Sequence, residues 1–462
     1  MQDLNVGGKL ERVKHTLNSW FSRGLTLQGK ILVIRTLGLS QFTYPLINLQ
    51  VSQKVLKDID RFVFNFIWGG TRKAKIRRNV LIQDYPDRGL KAPDIYSMEK
   101  AWKLQWINRI LKQDSGDWKK LFMQKMDKIG GLDYVLYSNF AVQKLPVKLS
   151  SFWTTILNYY AEIMERQVST QQDVREQLVN NNRHILIRGK SIFNETFIQQ
   201  RMDEVGNWFD LEGKPKPFNH VQKQLPQLTW LKHAQIIAAI PQSWKRMLRN
   251  QKKNFTHVST QRIFNIKAAK ASLIKKQRTV PAAISKWNTQ PNNWQSQFML
   301  ARKITTETKL QIFQYKLLHR TIATRQMLFK CKIVDNPFCI DCPNEIETVE
   351  HLLSDCPKSK VIWKELSELF MSKENKQISP TIQNTIYVTS SRNPKIQRWN
   401  YIALLAKFYI HRSRLHSSQL SWQGCKAFLR YKLGMEIYQA KQDQKNSKVL
   451  HWSIWDAFAS NP

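Results

Sequence analysis

Acidic residues are scarce in this sequence, and two long stretches have none. No Asp or Glu occurs from Gly213 to Thr306, where 18 Lys or Arg stand, or from Asn375 to Met435, where there are 10. Across all 462 residues, 73 Lys and Arg face 34 acids, a net charge of +39. Solubility alone needs far less, and a solvated surface normally mixes the signs. The imbalance points to a polyanionic partner. Nucleic acid is the first candidate and an acidic membrane surface the weaker one. Merely soluble basic helices are the competing reading, which requires counter-charges from elsewhere in the fold.

Long apolar runs are also missing. The longest uncharged run, Thr36 to Gln53, contains Pro45 and several polar residues, so no transmembrane helix is expected. Asp3 and Glu11 stand where a secretion signal would be apolar. Cysteines number five, and four of them lie between positions 331 and 356. An odd, clustered set does not read as a secreted disulfide framework. A reducing compartment, nucleus or cytoplasm, is expected. There is no internal repeat and no low-complexity tract.

The clustered cysteines have a metal-ligand spacing: Cys339-Ile-Asp-Cys342, eight residues, His351, four residues, Cys356. Cys339 and Cys342 fit one tight turn with converging sulfurs, and His351 and Cys356 return the second pair. Four such ligands suit a tetrahedral Zn²⁺ with no open position for water, hence a structural site. So short a loop buries too little apolar surface to hold itself, and zinc would supply about 10–16 kcal/mol of apparent folding energy at neutral pH. The competing reading is ordinary buried cysteines and a core histidine. Cys331 could substitute as a ligand, although core packing is expected of it. Cys425 stands alone and is expected to be inert.

In chain order, residues 1–125 read as helices. Leu10, Val13, Leu17, Trp20 and Phe21 share one face at steps of three and four. Pro45 should end or kink the run that begins at Ile31. Val55, Ile59, Phe62, Val63, Phe66 and Ile67 form a third amphipathic helix, closed by Gly69-Gly70. The basic loop that follows, 71–78, offers Arg72, Lys73, Lys75, Arg77 and Arg78 as phosphate contacts. Leu81 to Tyr85 reads as a short extended segment before a turn, and Asp94 as the N-cap of a helix. Residues 126–225 are broken repeatedly by Gly130-Gly131, Pro146 and Asn180 to Asn182. A helix over 151–166 and small strands at 185–187 and 192–193 are expected there.

In the acid-free zone, Lys245, Arg246, Arg249, Lys252 and Lys253 form the tightest basic cluster. Positions 245, 249, 252 and 253 share a face if this piece is helical. Trp230, Trp244, Phe255, Phe264, Trp287 and Trp294 are interleaved with the bases. They serve either as stacking platforms for unpaired bases or as anchors of short helices, and both readings stay open. Further on, Leu310, Phe313 and Leu317 mark a helix, Thr324 caps a turn, and Thr348 caps the short helix bearing His351. That helix should break before Pro357. Ile362, Leu366 and Phe370 mark another helix. A long helix near 399–414 puts Lys407, His411 and Arg414 on one face, and Lys407 and Arg414 are read as nucleic-acid contacts. Trp452, Trp455 and Phe458 should dock as core.

The order of these motifs resembles non-LTR (LINE-type) retrotransposon reverse transcriptases. Leu17-Asn-Ser-Trp20, Leu25-Thr-Leu-Gln-Gly-Lys30, Phe64-Asn-Phe-Ile-Trp68, Leu81-Ile-Gln-Asp-Tyr85 and Gly89-Leu-Lys-Ala-Pro-Asp94 resemble the thumb that follows the polymerase. Phe338-Cys339, Glu347-Thr-Val-Glu-His351, Asp355-Cys-Pro357 and Trp363 resemble the zinc-binding segment near the C-terminus of the same polyproteins. Arg88 departs from the pattern, where the family usually has another glycine before Gly89. The family's palm carries an adjacent aspartate pair for two Mg²⁺, and this sequence contains no Asp-Asp. The resemblance implies the tail of such a protein, starting within or just before the thumb, with fingers, palm and endonuclease absent.

The expected fold is mainly α. A thumb-like helical region (1–125) leads to an irregular connecting region (126–225). A basic region with the zinc knuckle (226–375) and a basic helical C-terminal region (376–462) complete it. The expected function is a non-catalytic segment that grips RNA or DNA by its backbone, with a polymerase core encoded elsewhere as a further candidate partner. No membrane partner is expected. An active reverse transcriptase is disfavoured by the missing aspartate pair. A truncated or decayed fragment, structural only against a missing core, is the remaining alternative.

Overall fold

The computed structural model describes residues 2–70, 75–111, 116–164, 168–249, 266–291, 293–387, 389–416, 418–442 and 452–460. Arg72, Lys73, Lys252, Lys253, Phe255 and Phe264 lie outside them. The fold is mainly α, as expected. Among the described residues the only sheet is a hairpin pairing Leu186–Ile187 with Lys190–Ser191. None of the described helices is long and apolar enough to cross a membrane. Two compact units form, each discontinuous in sequence: 1–8, 42–56 and 95–276 in one, 9–41, 57–94 and 277–462 in the other.

The first unit has two apolar centres. In one, Trp106 packs edge-on against Trp118, Phe152 and Trp153, with ring centroids 5.2, 5.4 and 6.0 Å away. The helix Ser151–Ile163 begins where the Ser150 hydroxyl accepts from the Trp153 amide. The other centre gathers Val174, Phe197, Trp208, Ile236 and Leu248. What holds the middle of the chain is side chain-to-backbone bonding in place of regular ladders. Asn180, Asn181 and Asn182 are fully buried. Asn180 exchanges two bonds with the Asn194 backbone, Asn181 donates to the Ile129 carbonyl, and Asn182 donates to Leu178. The three asparagines are chain breakers that become core.

In the second unit the N-terminal part follows the expected stripes. Leu10, Val13 and Leu17 are buried on the helix Gln2–Phe21, whereas Phe21 is exposed. The run past Ile31 changes register before Pro45, through a π turn at Ile34–Gly38 and a 3-10 turn at Leu39–Phe42. Leu81 closes a short helix, Arg78–Leu81, so the expected extended segment there is corrected. Three amides, of Leu90, Lys91 and Ala92, fold back onto the carbonyls of Leu81 and Gln83. That approach needs Gly89, where a Cβ would lie 2.0 Å from the Gln83 oxygen. Arg88 has φ +71°, a left-handed conformation that favours glycine. Asp94 precedes the helix Ile95–Lys103, and its carboxylate accepts from Arg78 and Gln277.

The C-terminal half of this unit is its densest part. The helix Pro394–Leu415 is buried along most of its length, and its Trp399 packs with Trp363 and Phe370 in a core that also buries Leu366. Each such aliphatic or Phe side chain contributes about 1.5–3 kcal/mol by leaving water. The final aromatics dock as expected: Trp452, Trp455 and Phe458 are buried, and Trp455 Nε1 donates to Glu374. The same carboxylate takes two bonds from Arg398, at 2.6 and 2.7 Å.

Lys407 lies in this core and is not a nucleic-acid contact. It is 1% exposed, and its ammonium donates to Gln314 Oε1 and the Ile386 carbonyl. Burial pulls its pKa down to about 7. Unfolded, it titrates near 10.4. Between those values the unfolded chain holds a proton that the native chain lacks. Stability therefore rises with pH across that window, and the penalty is full below about pH 7. Lys407→Met is expected to raise the melting temperature more at pH 6 than at pH 9. A shift of equal size at both pH values would show that the charge is not the cost.

Candidate metal centre

Two short turns assemble the ligands. The first, Cys339 to Cys342, is closed by bonds from the Cys339 amide to the Glu345 carbonyl and from the Glu345 amide to Cys342. An isolated antiparallel bridge, Phe338 with Ile346, seals its base. The second is a π turn, His351–Asp355, entered through the Thr348 hydroxyl, which accepts from the His351 amide at 3.0 Å. Five residues of α-helix would leave His351 and Cys356 about 140° apart around the axis. The wider i→i+5 turn, closed from the Cys356 amide to the His351 carbonyl at 2.8 Å, brings them to one face. The chain then leaves helical geometry at Cys356 (φ −59°, ψ 130°), and Pro357 starts the next helix. The break falls where the sequence required it.

The ligand atoms of Cys339, Cys342, His351 and Cys356 all lie within 4.8 Å of one another. A tetrahedral zinc with Zn–S bonds of about 2.3 Å sets its sulfurs about 3.8 Å apart. Cys342 and Cys356 Sγ are 3.9 Å apart. His351 Nε2 is buried with no hydrogen-bond partner. Burial, and then the neighbouring Cys356 and Cys339, push the Cys342 thiol up to about 12. Burial followed by Cys356 raises Cys339 as well. Without a cation these thiols stay protonated, and a coordinated metal deprotonates them outright. The donor set, the spacing and the orphaned imidazole nitrogen fit a closed Cys3His zinc site. Its zinc is structural.

The sequence did not reveal the cation beside these ligands. Arg414, near the end of the helix Pro394–Leu415, sits 3.4 Å from Cys339 Sγ and 3.7 Å from Cys356 Sγ. It also pairs with Asp341 and lies 3.9 Å from Glu347. Burial opposes its charge, but Cys339, Asp341, Cys356 and Glu347 outweigh that and raise its pKa. A Zn²⁺ with three thiolates carries one net negative charge, which Arg414 offsets. Its reading as a phosphate contact is therefore corrected: the guanidinium is engaged at the metal centre. Glu347 ties the site to a further helix, accepting from the Arg325 amide at 2.8 Å. Thr324 caps that helix, as expected. No signal in the sequence links position 414 to position 339.

The other expected site residues divide. Lys75 and Arg77 are exposed. Arg78 is not available to phosphate, because its guanidinium bridges Asp60 and Asp94. On the helix Gln242–Arg249, Arg246 and Arg249 are exposed while Lys245 is only 9% exposed, so 245 and 249 do not present a common surface face. Trp244 and Trp287 are buried anchors, and Trp287 Nε1 donates to the Leu318 carbonyl; Trp230 is 66% exposed. Cys331 is exposed, so it neither packs in the core nor joins the ligand group. Cys425 is buried, and burial pushes its thiol up to about 12.

Residues 279–363 match the family described as zinc-binding in reverse transcriptase. All four ligands fall inside that segment and Arg414 falls outside it. No curated protein matches the chain. The chain thus carries a reverse transcriptase-type zinc-binding segment whose ligands are assembled.

Zinc retention should depend on Arg414. Arg414→Met is expected to weaken zinc binding about 10–100-fold, as loss of outer partners of a metal site does. Arg414→Lys should restore only part, because an ammonium cannot reach two sulfurs and a carboxylate with one rigid fork. Competition against a chromophoric chelator measures both variants. Unchanged zinc affinity in Arg414→Met would show that the guanidinium is a bystander.

Proposed function

We propose that this chain is a non-catalytic nucleic-acid-binding segment of a non-LTR retrotransposon reverse transcriptase, from the thumb through the zinc-binding segment. The observation that carries the reading is the joint presence of a reverse transcriptase-type zinc site and a net charge of +39 with no acid from Gly213 to Thr306. Exposed Lys75, Arg77, Arg246 and Arg249 supply backbone contacts. The zinc orders the knuckle and its flanking helices and takes no part in chemistry. The sequence has no adjacent aspartate pair for two-metal phosphoryl transfer, which supports a non-catalytic role. Sequence preference is low in this reading, since phosphate contacts position a strand without reading it.

Binding should be strongly salt-dependent. For Z phosphates contacted, log K falls with log salt by about 0.9Z on duplex DNA and about 0.7Z on single strands. Anisotropy of labelled RNA and DNA between about 50 and 200 mM salt is expected to give a slope steeper than about −2.5. Primer extension with Mg²⁺ and nucleotides should yield no product. Absence of binding at low salt, or template-dependent synthesis, contradicts the proposal.

A further inference from the structure

The second unit contains a cleft of about 560 Å³ that the zinc centre does not explain. Its walls come from the start of the helix Leu27–Val33 with the two residues before it, the end of the helix Gln53–Trp68, and the helices Thr308–Leu318 and Pro394–Leu415. The lining is largely apolar: Ile67, Trp68, Phe313 and Phe408 contribute, the two phenyl rings meeting edge-on at 5.3 Å. Lys30, Lys75, Lys309, Lys316 and Arg412 also line it, and no Asp or Glu does.

Lys316 is the informative member. It is more than half buried, and its pKa is lowered by burial first and then by the charges of Lys75 and Lys30. Three ammonium groups therefore converge on one space without a carboxylate. Several other partly buried cations of this unit are held by carboxylates, Arg78 by Asp60 and Asp94, Lys432 by Glu307, Arg398 by Glu374. An uncompensated buried charge is costly to the fold. His411, which also lines the cleft, has a buried Nε2 without a partner.

We infer that the cleft takes one nucleotide of an unpaired strand, its base against Trp68, Phe313 and Phe408 and its phosphate against Lys30, Lys75 and Lys316. The volume lies within the ~300–1,000 Å³ of small-ligand sites, room for one nucleotide and too little for a duplex. A base already unpaired enters without the cost of extrusion from a stack. The inference rests on the nucleic-acid-binding reading and adds to it a preference for single strands.

The test uses the full zinc-loaded chain, a labelled 12-nucleotide oligouridylate and a labelled 20-base-pair DNA duplex. Lys316→Gln removes the buried charge. Lys309→Glu changes an exposed rim position and keeps the fold in the event that Lys316→Gln does not. Each is expected to weaken single-strand binding by about tenfold, in the range of one lost stacking-and-phosphate contact, with a much smaller effect on the duplex. Uridine monophosphate should compete with the oligouridylate and leave the duplex bound. Equal losses on both nucleic acids, or none on the single strand while the duplex still binds, overturn the cleft alone. Displacement of the oligouridylate by phosphatidylglycerol vesicles but not by uridine monophosphate assigns the cleft to a lipid and overturns the inference. A wild-type chain that binds neither nucleic acid at low salt overturns the broader reading as well.

Discussion

Three thiolates and an imidazole drawn within 4.8 Å of one another are the constraint on which the C-terminal half of the second unit depends. Without a cation the thiols crowd and burial opposes their charge. With one, about 10–16 kcal/mol of apparent binding energy becomes folding energy. That energy is passed outward through identifiable groups. The π turn continues into the helix Pro357–Glu374, where Trp363 Nε1 donates back to the Leu353 carbonyl at 2.6 Å. Glu347 reaches the helix Arg325–Lys330, and Arg414 reaches the ligands from the helix Pro394–Leu415. The metal site thus ties the helix Arg325–Lys330 to two helices that already share a core through Trp363, Phe370 and Trp399.

Charge is organised in two ways in this molecule. Arginines that serve the fold are paired, Arg78 with two aspartates, Arg398 with Glu374, Arg414 with Asp341 and two sulfurs, and the buried Lys407 is held by neutral oxygens. Where a cation is exposed or lines the cleft, as at Lys75, Arg246, Arg249 and Lys316, no carboxylate among the described residues holds it. The distinction separates structural basicity from the basicity offered to a polyanion. Counting charges along the chain cannot make it.

The zinc ligands were legible in the sequence because their spacing is local and their chemistry is unusual. The helices were legible because apolar periodicity reports a buried face, as at Leu310, Phe313 and Leu317. Asn180 to Asn182 read as breakers, which is locally true, but their bonds to Asn194 and Ile129 depend on distant backbone. Lys407 and Arg414 illustrate the same limit. On a basic helix both look like phosphate contacts, yet Gln314 and Ile386 hold one and the metal centre holds the other. Arg88 is a milder case: the expected glycine is absent, yet the left-handed backbone that favours glycine is kept at φ +71°.

The most direct test of the central claim is X-ray absorption at the zinc edge on the purified full chain. The account predicts one zinc per chain, with three sulfurs at about 2.3 Å and one nitrogen at about 2.0–2.1 Å. A zinc-free folded chain, or a first shell containing water oxygen in place of one of these ligands, would contradict a closed structural site made by Cys339, Cys342, His351 and Cys356.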